Sequence, residues 1–229
     1  MRHGREAQQM SLSRLLFYAG PLLWAVLIVF HPSPEGDSPF EGIRDDVDRW
    51  LFVHIGQLVL TPFVFLAVWR LLEGLNSTSA RISRAALVVW TVFFSAYDTI
   101  QGIATGILTR QADGLAAEDQ AGYAQAIEFI VEDSLLAGNF SVVGSVAAVS
   151  WAVVAIAAAV ALHKAGAGKA VVGAACLSIV VVAHTAPAAI GFLALFAAGV
   201  LRERERARSA PGAPALTSHG DAPAARTSS

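Results

Sequence analysis

Charge is scarce in this chain of 229 residues: Asp, Glu, Lys and Arg make up 15% of it, whereas hydrophobic residues make up 55%. A soluble domain of ordinary composition carries about 25% charged residues. The deficit excludes a typical soluble core and predicts several helices that cross a lipid bilayer, so the bilayer is the first expected partner. A mean hydropathy of +0.56 agrees with this prediction.

Cysteine is nearly absent as well, since Cys176 is the only one. The chain therefore cannot form an internal disulfide bond or a zinc knuckle built from cysteines. Histidine pairs at the HxxxH or HExxH spacing, glycine-rich phosphate loops and nucleophile elbows are also missing. These absences leave open whether the protein is an enzyme.

Long apolar runs dominate what the chain does contain. A bilayer core of about 30 Å takes roughly 20 helical residues at about 1.5 Å each. The last apolar run, 170–201, is too long for one span and is broken at His184 and Pro187, so it is interpreted as two. The sequence thus predicts an all-α, multi-pass bundle over residues 15–208. Its six predicted spans are 15–31, 50–72, 85–109, 140–162, 168–184 and 187–202.

The two signs of charge fall in different connections between these spans. Basic residues gather in 1–14, 70–84, 163–169 and 202–208, and acidic residues gather in 31–49 and 109–138. With six spans, all basic segments lie on one side of the membrane, as the positive-inside rule requires. We therefore expect a plasma-membrane protein with both termini in the cytoplasm, including segment 1–14 and a disordered tail, 209–229. A five-span alternative would place 202–208 outside the cell.

Two connections carry further structural signals. Residues 116–131 have apolar side chains at helical spacing, which predicts an amphipathic helix on the outer membrane face. In the first outer connection, the prolines up to Pro39 predict irregular chain, with a helix from Ile43 onward. The basic run 202–208 is balanced by acidic residues, so it predicts a lipid anchor and no nucleic-acid partner.

The third span holds Asp98, the one acidic or basic residue deep within any predicted span. Thr105 follows it by seven residues and Gln101 falls on the same side, which makes a polar stripe that cannot face lipid. Gly102 and Gly106 add a GxxxG spacing that allows close helix approach. A homo-oligomer through these two glycines is the second expected partner.

The second span has a polar face of its own, with His54, Gln57 and Thr61 at positions i, i+3 and i+7. Together the two stripes predict a ligand-binding pocket that opens to the outer side and is lined by Asp98, His54, Gln57, Gln101 and Thr105. The first functional hypothesis is a protein that binds or moves a small ligand through this pocket. The alternative is that these groups hydrogen-bond across helices and only fix their packing.

Three histidines support a second hypothesis. His31, His54 and His184 all fall near the outer ends of their predicted spans, at the level of Asp98. Imidazole and carboxylate together suit zinc or iron, so the three histidines are candidate metal ligands in a small membrane enzyme or a haem- or zinc-binding protein. The alternative is that His31 and His184 cap helix ends.

Overall fold

The computed structural model describes residues 17–32, 38–138, 140–183 and 187–209, and throughout these ranges the regular structure is helical, with no strand. The predicted all-α class is confirmed for this part of the chain. The α-helices are α1 (Ala19–Val29), α2 (Pro39–Arg44), α3 (Val47–Leu71), α4 (Thr78–Asp98), α5 (Thr105–Ala112), α6 (Ala117–Glu132), α7 (Val142–Lys164), α8 (Lys169–Leu177) and α9 (Ala188–Arg208). A π-helical segment, Thr99–Ala104, joins α4 to α5, and a 3₁₀ segment, Ser178–Ala183, continues α8.

Three helical stretches in the described residues are long and apolar enough to cross a membrane, rather than the six predicted. They are Val47–Leu71, Thr78–Ala112 and Val142–Lys164. The other three predicted positions are helical but do not meet both conditions. Helix α1 has 11 residues, which corresponds to a length of about 16 Å. Helix α8 is also short, even with its 3₁₀ extension. Helix α9 is longer, but its last turns consist of the charged run 202–208. Segments 1–14 and 210–229 lie outside the described residues.

Six helices pack side by side in a closed ring in the order α1, α3, α4, α7, α8 and α9, with α9 against α1. Aromatic side chains from α1, α4, α7 and α9 fill the middle of this ring. Trp24 stacks on Phe192 with 4.8 Å between ring centroids. The ring centroids of Trp90 and Trp151 are 4.7 Å apart. This aromatic core holds together helices that are distant in sequence.

Helices α2 and α6 form a second, smaller core at the end of the bundle where α3 begins and α5 ends, which we call the acidic end. Phe40, Ile43 and Trp50 pack there with Ile127 of α6. Helix α6, Ala117–Glu132, corresponds to the helix predicted over residues 116–131. The expectation of irregular chain before Ile43 is wrong from Pro39 onward. Proline suits the first position of a helix, and the Ser38 hydroxyl accepts a hydrogen bond from the Glu41 N–H at 3.3 Å.

The opposite end, at connections 72–77 and 165–168, is the basic end, and charged groups of α9 close it. Glu203 is buried there and accepts hydrogen bonds from Arg206 at 2.7 Å and from Arg70 at 3.2 Å. The Arg206 guanidinium also donates to the carbonyl oxygens of Leu71, the last residue of α3, and of Glu73, two residues beyond it. Arg206 therefore has protein partners and ties α9 to α3, a role that the lipid-anchor interpretation of run 202–208 did not include.

Candidate functional site

The structure brings His54 of α3 and Asp98 of α4 into direct contact. His54 Nδ1 lies 2.7 Å from Asp98 Oδ1, and both side chains are fully buried. His54 is seven residues into α3, about 10 Å from the start of that helix at the acidic end. The pair is therefore buried in the half of the bundle nearer the acidic end.

A glycine allows this contact. Gly102 lies one turn beyond Asp98, and a Cβ atom at that position would sit 2.1 Å from His54 Nδ1. A Cβ atom at Gly106, four residues further, would likewise sit 2.7 Å from Leu51 Cδ2. Both glycines thus make a contact within one chain. The homo-oligomer expected through Gly102 and Gly106 stays a prediction.

Aromatic rings surround the His54 imidazole. The Trp50 ring centroid is 4.6 Å away, and its indole N–H donates to the Gly102 carbonyl at 2.7 Å. The His31 ring meets His54 edge-on with 5.0 Å between centroids, and His31 Nδ1 donates to the Pro32 carbonyl at 2.8 Å. The imidazole is thus held in place from several sides, which fixes the direction of its second nitrogen.

Four buried polar atoms around this pair have no hydrogen-bond partner among the described residues. They are His54 Nε2, Asp98 Oδ2, and both Oε1 and Nε2 of Gln57. Gln57 follows His54 by three residues, so it lies on the same face of α3, and it is also fully buried. Buried polar atoms are normally paired, and each exception needs an explanation. A polar ligand that contacted these four atoms would therefore break no hydrogen bond already present.

The protonation of the pair determines what it can bind. With one proton, carried on Nδ1, the pair is an anion that presents lone pairs at both Nε2 and Oδ2. With a second proton the pair is neutral, the carboxylic acid donates to Nδ1, and Nε2 becomes a donor. The one-proton form leaves a carboxylate inside an apolar bundle, which is unfavourable unless a cation compensates it.

Two residues predicted for the pocket do not join this cluster. The Thr105 hydroxyl donates to the carbonyl oxygens of Gln101 and Gly102 in its own helix. The Gln101 side chain is half-exposed. The π-helical segment Thr99–Ala104 explains the difference, because its wider turns break the seven-residue spacing on which the predicted stripe depended.

The predicted metal ligands are only partly described. His31 and His54 lie together, whereas His184 is outside the described residues, and the described part of the chain holds no cluster of three or more metal-ligating side chains. The metal site therefore stays a prediction. Sequence reasoning missed Trp50, although it precedes His54 by four residues on the same helix face. Comparisons of this protein with family models, with characterised proteins and with solved structures find no match.

Proposed function

We propose that this chain is a cell-membrane protein with six spans and both termini in the cytoplasm. The outer surface of the ring supports this, because many large apolar side chains are more than a third exposed on helices throughout it. Examples are Phe52, Val59 and Phe63 on α3, Val92 on α4, Val149 and Ile156 on α7, and Ile190 on α9. A contiguous apolar surface of this extent is rare on soluble monomers. The short helices α1 and α8 pack in the same ring as the long ones, which supports the same depth for them.

In this proposal the protein binds a small cation at the His54–Asp98 pair and releases a proton as it does so. The single observation that carries the proposal is the fully buried 2.7 Å contact, beside which Nε2 and Oδ2 have no hydrogen-bond partner among the described residues. A cation is the ligand class that two neighbouring lone pairs and a negative charge favour. The neutral two-proton form is the stable form without ligand, so cation binding and proton release are linked.

The acidic end supplies a supporting electrostatic argument. The connections around it carry a large excess of carboxylates, namely Asp45, Asp46, Asp48, Asp113, Glu118, Asp119, Glu128, Glu132 and Asp133. Clustered carboxylates raise the local concentration of cations. Under the six-span topology this end faces outward, so the pair would take its ligand from outside the cell.

The test is calorimetry on the full-length protein in detergent, titrated with methylammonium and, separately, with Zn²⁺. Each titration is repeated in two buffers that differ in protonation enthalpy, so that the number of protons released per cation can be calculated. We expect saturable binding of one probe with about one proton released, because the pair loses one proton between its two states. Asp98→Asn keeps the shape but removes the charge, and it should abolish both signals.

A matched control and a contradicting result complete this design. Gln101→Ala removes an only partly buried amide one turn from Asp98 and should bind the probe as the unmodified protein does. If neither probe binds, or if Asp98→Asn binds equally well, the pair is a packing contact between α3 and α4 and the proposal fails.

A metal centre is the second candidate function, and one specific observation favours it. A carboxylate bonded to one imidazole nitrogen orients the other nitrogen toward a metal, as Asp98 does for His54. The neighbouring His31 ring could supply a second ligand, and His184 was predicted as a third. Stoichiometric zinc, or a Soret band from haem, in the purified protein would select this candidate over a small ammonium ion.

A further inference from the structure

A partly open cavity of about 110 Å³ lies among the aromatic side chains at the centre of the ring. Trp24, Trp90, Trp151, Phe94 and Phe192 contribute to its wall, and all five are at least nine-tenths buried. Helix α7 contributes three small residues to the lining, Gly144, Ala147 and Ala148, in addition to Trp151. Among the described residues, this lining has no polar side-chain groups other than the Tyr97 hydroxyl and the indole nitrogens.

The cavity reaches the surface of the bundle at the 3₁₀ segment. Val182 lines it and is 43% exposed. On the helices that border the segment, Leu177, Ile190 and Val149 are apolar and between 49% and 63% exposed. Because Val182 is itself apolar and exposed, the described part of the mouth belongs to the apolar outer surface that we assign to contact with lipid.

The 3₁₀ segment that forms the mouth is held by specific contacts. The Trp151 indole N–H donates to the Ser178 carbonyl at 2.8 Å. A Cβ atom added at Gly191 of α9 would sit 2.6 Å from the Val181 backbone nitrogen, so α9 packs directly on the segment. Trp151 thus serves both as cavity wall and as the support of the mouth.

We propose that this cavity binds the apolar end group of a molecule dissolved in the lipid phase. A cavity of roughly 150 Å³ with a wall of apolar and aromatic side chains takes up benzene in another protein, so this one, which is open at its mouth, suits one aromatic ring with a substituent that lies toward the mouth. The source is either a small free arene or the end of a lipid chain, and both share this chemistry. The inference uses the membrane location proposed above but is independent of the cation site.

Tryptophan fluorescence gives a direct measurement, because three of the five tryptophans line the cavity and a bromine atom nearby quenches them. All variants carry Trp69→Phe, which removes the 45% exposed indole that would report on detergent. Bromobenzene is titrated into the full-length protein in detergent. The same protein is also placed in nanodiscs made of a phosphatidylcholine brominated at the ends of its acyl chains.

Leucine substitutions on α7 distinguish binding in the cavity from partitioning into detergent. Ala147→Leu and Ala148→Leu fill the cavity, and because Ala148 is only half-buried, at least that variant should fold. Ala152→Leu adds the same volume at a position of α7 that is half-buried like Ala148 but lies outside the lining. We expect saturable quenching in the Trp69→Phe protein and in Ala152→Leu, and at least tenfold weaker quenching in the two filled variants.

Each outcome has a fixed meaning. Quenching by bromobenzene alone supports the proposal with a small free arene as ligand, and quenching by brominated lipid as well supports a lipid chain. Equal quenching in filled and unfilled variants, or an absence of saturable quenching, overturns it. Displacement of bromobenzene by tetramethylammonium would also overturn it, because the cavity would then be an aromatic site for cations.

Discussion

Replacing Gly102 by alanine should separate the helices that carry the site without removing any of its polar groups. The new Cβ atom would lie 2.1 Å from His54 Nδ1 and 2.3 Å from Cγ, whereas ordinary contact begins at 3.4 Å. The imidazole must therefore move by more than about 1 Å. The imidazole cannot move freely, since it is hydrogen-bonded to Asp98 and its ring centroid lies 4.6 Å from that of Trp50.

The size of the effect follows from two terms. Overpacking a closely fitted contact costs about 1–3 kcal/mol, and stretching the buried hydrogen bond to Asp98 adds about 1–3 kcal/mol. The better helix propensity of alanine offsets about 1 kcal/mol at most. The free energy of unfolding should thus fall by about 1–5 kcal/mol, which for a chain of this length lowers the Tm by roughly 2–20 °C.

The assay is thermal unfolding of the detergent-solubilised protein, followed by the calorimetric cation titration on the folded fraction. Gly173→Ala is the matched control, because it is also a helical glycine and a Cβ atom there meets nothing within 4 Å. It should leave the Tm unchanged or raise it slightly. If Gly102→Ala unfolds at the same temperature as Gly173→Ala, the close approach of Gly102 to His54 does not hold the pair together.

Three further predictions concern other parts of the fold. Trp50→Phe removes the indole N–H that bonds the Gly102 carbonyl, and it should lower the free energy of unfolding by about 1–2 kcal/mol in denaturant titrations; an unchanged midpoint would contradict this. Arg206→Gln should lower the free energy of unfolding by about 2–3 kcal/mol, because the buried Glu203 carboxylate loses one of its cationic partners. The control is Arg204→Gln, at an exposed position of α9, which should have little effect. Reporter fusions after Arg208 should be active only in the cytoplasm; activity outside would exclude the six-span topology.

Sequence alone determined the features that depend on composition and local pattern. Low charge and long apolar runs predicted an all-helical chain, because apolar segments of that length have few other ways to satisfy their backbone. The positions of the six predicted spans correspond to helices in the structure, and residues 116–131 correspond to α6. The polar stripe on α3 correctly singled out His54 and Gln57 as residues that avoid the outer surface.

Tertiary structure decided the features that depend on contacts between distant segments. Helix lengths were overestimated for the first and fifth spans, because an apolar run does not show where a helix changes to a 3₁₀ segment or ends. The π-helical segment removed Gln101 from the predicted stripe, since a fixed period cannot anticipate a local widening.

The candidate site itself shows the same division. Asp98 could be recognised as exceptional from its place in an apolar run, but its bond to His54 depends on Gly102 letting α3 approach α4. The aromatic cavity could not be foreseen at all. Its rings come from helices far apart in sequence, and only their packing leaves space between Trp24, Trp90 and Trp151, because a cavity is a property of how surfaces meet and not of any one helix.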